Sequence, residues 1–185
     1  MIKPIQTAYD GRLLRSRIEA RHAVFFKALG IKYDYEPIGF QLKDKRYYLP
    51  DFFLPDVYRR GTKEKGWFVE IKHTDGDASK ADALGAEQLY PVLYVEGMTV
   101  RADKHIEFTQ HGQDSEMNFR KCENIECGAI LIGYGHKDAI CPECGGYCCD
   151  KSVLAAVEIA NTKRFEFTDC EPWPIQPVAD MEFVF

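Results

Sequence analysis

The chain has 185 residues, 45% of them hydrophobic and 29% charged, with a formal net charge of −5. That length suits one domain of ordinary size plus an appendage, and the composition places the chain among soluble globular proteins. The longest apolar runs, such as Ala129-Ile-Leu-Ile132, are too short to span a membrane, and Met1-Ile-Lys-Pro-Ile-Gln lacks a secretory signal, so a cytoplasmic protein without membrane contact is expected.

Charge is unevenly spread. Residues 1–75 carry 15 Lys+Arg against 10 Asp+Glu, and residues 76–185 carry 9 against 19. Because salt confines surface fields to roughly 8–10 Å, a basic first half can hold phosphates in spite of the acidic total.

In chain order, residues 12–29 read as an amphipathic helix with Leu14, Ile18, Phe25 and Leu29 on its apolar face, Asp10 as N-cap and Gly30 as C-cap. Glu19 sits mid-helix, with Arg12, Arg15 and Ser16 on its side. Residues 33–42 and Tyr47 to Leu54 read as strands around the polar turn 43–46, followed by a charged loop from Pro55 to Gly66. Trp67 to Lys72 is a third strand, antiparallel to the second. Ser79 to Gln88 reads as a helix with Asp77 as cap, and Pro91 to Glu96 as a strand. Residues 100–118 are polar and poorly patterned, as suits a connector. Ala129 to Tyr134 suits a strand and Lys151 to Arg164 a helix. The tail from Cys170 to Pro177 holds too many prolines for a regular element. This order implies an α/β core with a mixed sheet over residues 1–112, a cysteine module over 113–150, and a C-terminal helix and tail over 151–185.

Strand alternation puts Glu70 and Lys72 on one face and turns Ile71 to the other. Asp51 lies on the partner strand, and Glu19 arrives from the helix behind. Three carboxylates crowded together repel one another, and a hard cation, Mg²⁺ or Mn²⁺, relieves that repulsion. Such a cation polarises a phosphate and acidifies a bound water, while Lys72 stabilises the developing charge. Arg12, Arg15 and Lys80 are candidate phosphate contacts, whereas Arg17, Arg21 and His73 read more simply as solvated polar residues. Asp75 and Asp77 read as turn and cap residues.

Pro50-Asp51 followed by Glu70-Ile71-Lys72, with Glu19 on the preceding helix, resembles the signature of the PD-(D/E)xK nuclease superfamily. The stretches Arg15-Ser-Arg-Ile-Glu-Ala20, Phe25-Phe-Lys-Ala-Leu-Gly-Ile31, Tyr35-Glu-Pro37 and Tyr48-Leu-Pro-Asp-Phe-Phe-Leu-Pro55 are similar to phage and bacterial proteins of this type. The resemblance covers about residues 12–97 and implies a restriction-endonuclease-like α/β/α core. It further implies that Asp51, Glu70 and the Ile71 carbonyl ligate metal, with Glu19 as the additional acid and Lys72 catalytic. A metal-dependent nuclease acting on DNA is the function this leads to. The alternative is an inactive nucleic-acid-binding or adaptor protein that keeps the fold.

All seven cysteines lie in the last 64 residues. Cys122-x₄-Cys127 and Cys141-x₂-Cys144 are spaced as in a zinc ribbon, with Gly128 and Gly145 allowing the tight knuckle turns. Cys148, Cys149 or His136 could replace one of the four. A structural Zn²⁺ is expected here, with a protein partner through the ribbon and pairing of two copies as open alternatives.

Overall fold

The structure, a computed structural model, describes residues 4–59, 61–73, 76–133, 140–165 and 183–184. The expected tail from Cys170 to Pro177, Asp75 and His136 lie outside the described residues. The chain opens with a hairpin of β1 (Thr7–Tyr9) and β2 (Arg12–Leu14). Asp10 and Gly11 both have positive φ, 53° and 73°, the backbone that joins two strands through a tight two-residue turn. Asp10 is therefore a turn residue, and the helix starts later than expected. α1 (Arg17–Leu29) is capped by Ser16, whose Oγ accepts from the Glu19 amide, and ends at Gly30 with φ 88°.

The strand expected over 33–42 is split into β3 (Asp34–Tyr35) and β4 (Gly39–Gln41). Glu36, at φ 47°, and Pro37 break it. β5 (Tyr47–Tyr48) returns beside β4. β6 (Phe52–Arg59) and β7 (Lys65–Lys72) form the expected antiparallel hairpin, but strand fills most of the segment that read as a charged loop. Pro55 sits where the register shifts between Leu54 and Tyr58, a position that tolerates a missing amide donor. α2 (Ser79–Glu87) leads to β8 (Val92–Glu96), parallel to β7.

Residues 100–118 are not a connector. They supply β9 (His105–Thr109) and most of β10 (Gly112–Cys122), an antiparallel hairpin with a bulge between Asp114 and Met117. β11 (Ile130–Gly133), β12 (Cys148–Cys149), α3 (Lys151–Thr162) and β13 (Phe183–Val184) complete the described elements.

The main sheet is mixed, running β11-β10-β9-β8-β7-β6-β3, with β12 on β10. β11 also pairs in parallel with β6, Leu131 opposite Tyr58 and Ile132 opposite Arg59, so the sheet closes on itself at that end. Alternation sorts its side chains. Trp67, Val69, Ile71, Leu93, Val95, Met117 and Phe119 face the interior with α1 and α3. Phe68, Val92, Tyr94 and Phe108 face the other way, onto α2 and the β4–β5 hairpin. α1 packs against the interior face of the sheet, α3 and the β1–β2 hairpin, so Ala20, Ala23, Val24, Phe25, Phe26 and Leu29 are all buried rather than one stripe alone. Each of the large buried rings, Trp67, Phe25, Phe26 and Phe52, contributes about 1.5–3 kcal/mol by leaving water.

Candidate active site and cysteine cluster

Four short pieces of chain converge where α1 begins, β6 begins and β7 ends. In the Ser16-to-Glu19 box, the Ser16 hydroxyl donates to Glu19 Oε1 at 2.7 Å while its oxygen accepts from the Glu19 amide at 3.2 Å. Glu19 Oε2 accepts from the Tyr35 hydroxyl at 2.7 Å and the Arg15 amide at 3.2 Å. Glu19 is thereby fixed and 93% buried, its exposure being 7%.

Asp51 and Glu70 are buried as deeply, at 3% and 4% exposure. Asp51 Oδ2 accepts from the Ile71 amide at 2.7 Å, which ties the first residue before β6 to the end of β7. Asp51 Oδ1 accepts from Arg15 Nη2 at 2.5 Å. Glu70 Oε2 accepts from the Tyr48 hydroxyl at 2.7 Å, and Lys72 pairs with Glu70 Oε1. Arg15 reaches further, with Nε 2.8 Å from Glu36 and 3.9 Å from Glu19.

The electrostatics follow from this crowding. Burial, then the negative charges of Glu70 and Glu19, push the Asp51 carboxyl well above the usual carboxylate range, against the opposing pull of the Ile71 amide and Arg15. Burial and Glu70 likewise raise the Tyr48 hydroxyl, so it stays a donor to Glu70. A hard cation would meet oxygen donors of the type it prefers in Asp51, Glu70 and Glu19. The acids are nonetheless not drawn in as tightly as the cysteines, which form the one group among the described residues whose ligand atoms all lie within 4.8 Å of one another.

A cleft of about 670 Å³ opens beside Glu19, lined also by Pro4, Ile5, Ser16, Arg17, Ile18, Arg21, Ile71, His73 and Met98, while Asp51, Glu70 and Lys72 are not part of its lining. Of the remaining sequence candidates, Arg12 stacks 5.1 Å over the Tyr33 ring, and Lys80 donates to the Tyr47 carbonyl at 3.0 Å. Neither contacts the acids, whereas Arg15 does. Tyr35, Glu36 and Tyr48 join the site without having been singled out from sequence.

The cysteine cluster stands where strands of the main sheet end. Cys122 ends β10, and Cys127 follows in the turn before β11. Gly128, at φ 59°, donates to the Asn124 carbonyl and Gly145, at φ 73°, to the Cys141 carbonyl, closing the two knuckles. The Cys122–Cys144 and Cys127–Cys141 sulfur pairs stand 3.5 and 3.6 Å apart. Those separations are far beyond a disulfide and suit four thiolates around one ion with bonds of about 2.3 Å. Cys122, Cys127, Cys141 and Cys144 could hold a metal ion such as zinc. Cys148 is buried beside them with Leu131 and Tyr58. The Tyr58 hydroxyl of β6 reaches Glu143 in the second knuckle, which ties the cluster to the sheet.

Compared with known proteins, the chain matches no family model, no curated protein and no solved structure at a significant level. No described helix is long and apolar enough to cross a membrane.

Proposed function

We propose that the chain is a metal-dependent nuclease of the PD-(D/E)xK kind, with a restriction-endonuclease-like core, hydrolysing phosphodiester bonds in DNA. The observation that supports it best is the convergence of Glu19 from α1, Asp51 from just before β6, and Glu70 and Lys72 from β7: Arg15 bridges Glu19 and Asp51, the Ile71 amide ties Asp51 to β7, and Lys72 pairs with Glu70.

Asp51, Glu70, the Ile71 carbonyl and Glu19 would hold a Mg²⁺ or Mn²⁺ ion. Such an ion supplies charge neutralisation on phosphate and a more acidic water. The chain's own groups do the remaining work. Tyr48 fixes the rotamer of Glu70, and Ser16 and Tyr35 fix that of Glu19. The Ile71 amide holds Asp51 against β7. Lys72, at 39% side-chain exposure, places a cation between the buried acids and solvent, where a phosphate oxygen gains charge as its bond breaks. Arg17 and Arg21 on the cleft wall suit the flanking phosphates. Zn²⁺ at the four cysteines would be structural.

The test is cleavage of plasmid, single-stranded and branched DNA with Mg²⁺ or Mn²⁺ by the wild type, Asp51→Ala and Lys72→Ala. Each variant is expected to lose at least about 100-fold in rate, as loss of a charge-stabilising group does elsewhere. Equal activity in all three proteins refutes the proposal.

A second reading has its own observation. Each buried acid already has protein partners, Arg15, Tyr35, Tyr48, Lys72 and the Ile71 amide. A self-neutralised site of that kind suits a non-catalytic adaptor or nucleic-acid-binding protein. That reading expects binding indifferent to Mg²⁺ and no product.

A further inference from the structure

Arg15 is the point where the two readings divide. Both Asp51 oxygens are engaged, Oδ2 by the rigid Ile71 amide of β7 and Oδ1 by Arg15 at 2.5 Å. A divalent cation approaching Oδ1 meets the Arg15 guanidinium already there and competes with that charge, whereas the Ile71 amide on Oδ2 belongs to the sheet and stays in place. Arg15 can withdraw. Its side chain is 49% exposed, and it is already bound at 2.8 Å to a second carboxylate, Glu36.

Glu36 is held there at a cost. Its φ of 47° is left-handed, unusual for a residue with a side chain, and its amide donates to the Asp51 carbonyl at 2.9 Å. This conformation sets the Glu36 carboxylate beside Arg15.

We propose that Arg15 is a displaceable counterion of the carboxylate site. It neutralises Asp51 until a divalent cation takes Oδ1, and then rests on Glu36 with its side chain half exposed. The proposal deepens the metal-dependent reading and rests on it. Arg15 is a positioning residue here: it sets the affinity for the ion and makes its own availability to a phosphate depend on the ion being bound. By linkage, the ion and an Arg15-bound phosphate then favour each other.

The experiment is calorimetric titration of Mn²⁺ into the zinc-loaded full chain, because soft thiolates keep zinc in preference to manganese. Arg15→Gln is expected to bind Mn²⁺ about fivefold tighter than the wild type, the scale of one partly exposed ion pair. Arg15→Lys keeps the charge but cannot hold Asp51 and Glu36 together, and is expected to tighten binding in the same direction. Glu36→Gln removes the resting place and is expected to weaken it, an effect that vanishes when Arg15→Gln is also present. Without metal, Arg15→Gln is expected to melt lower than the wild type and to gain more from added Mn²⁺.

Wild-type binding with Arg15→Lys unchanged would mean that Arg15 acts only through its field, and overturns the proposal while leaving the nuclease reading intact. A Glu36→Gln effect that persists without Arg15 overturns it as well. No Mn²⁺ binding by the wild type overturns both. If Arg15→Gln does not fold, Arg15→Lys and Glu36→Gln decide through their opposite signs.

Discussion

Single residues in this chain are set by partners that lie far away in sequence. Glu19, Asp51, Glu70 and Lys72 can be picked out because carboxylates and a lysine at strand spacing are conspicuous. Tyr35, Glu36 and Tyr48 cannot, since a tyrosine in a strand looks like packing until its hydroxyl is seen donating to Glu19 or Glu70. Histidine gives a testable case. His22 and His105 are buried, and burial lowers their pKa values to about 4 and about 3, with the charge of His22 adding to the depression of His105. His22 Nδ1 bonds the Ile18 carbonyl, while its Nε2 is buried without a partner. Between pH 6.5 and 4 the unfolded chain takes up a proton at His22 that the folded chain refuses, so His22 subtracts about 1.4 kcal/mol of stability per pH unit on acidification. Asp51 and Glu107, both raised by burial, act in the opposite sense, so the wild-type slope is a sum. The difference isolates His22: relative to wild type, His22→Leu is expected to gain about 1.4 kcal/mol per unit as pH falls through that window. Denaturant melts at pH 7, 6 and 5 measure it, and a pH-independent difference means that His22 is not held neutral by the fold.

Among the elements, those with a strong period could be read and those made by turns could not. α1, α2, α3, β7 and β8 each show their pattern, although α3 buries Val153, Ala156 and Ala160 and leaves Leu154 and Ile159 half exposed. The β1–β2 hairpin was hidden because Leu13 and Leu14 extend the helical stripe of α1 backwards. Its signal was Asp10-Gly11, the pair that favours a left-handed turn. The β9–β10 hairpin was hidden because one side of it faces solvent and a bulge interrupts its alternation. Local propensity also misleads at Gly85 in the middle of α2. Replacing a helical glycine by alanine usually adds about 1 kcal/mol of stability. Here a Cβ would stand 2.4 Å from the Phe108 carbonyl oxygen and 2.7 Å from its Cβ, because α2 presses on β9 at that point. Overpacking against backbone costs about 1–3 kcal/mol, so Gly85→Ala is expected to destabilise, seen as a lower denaturant midpoint with an unchanged slope. A stabilised Gly85→Ala protein would mean that α2 can shift off the sheet.

On the scale of the whole molecule, the cysteine cluster and the carboxylate site share a scaffold. β6 starts at Phe52, next to Asp51, and runs to Tyr58 and Arg59, which pair with β11. β10 ends at Cys122, and β11 begins three residues after Cys127. The strands that close the sheet are therefore the ones whose ends the knuckles gather. The Tyr58 contact to Glu143 and the buried group of Tyr58, Leu131, Cys122, Cys141 and Cys148 bind the two together. A detached module could lose a bound metal without consequence for the rest of the chain, whereas these knuckles sit at the ends of β10 and β11, and β11 pairs with β6. If the four cysteines hold zinc as proposed, chelating it, or Cys141→Ser, is expected to lower the melting midpoint of the entire protein in one cooperative transition, since metal binding and folding are coupled. Loosening of β6 should then follow as faster amide exchange at Phe52 and Phe53, next to Asp51, some distance from the cysteines. Loss of structure confined to residues 122–149, with exchange at Phe52 unchanged, would mean that the β6–β11 pairing does not transmit the knuckles' order to the acids.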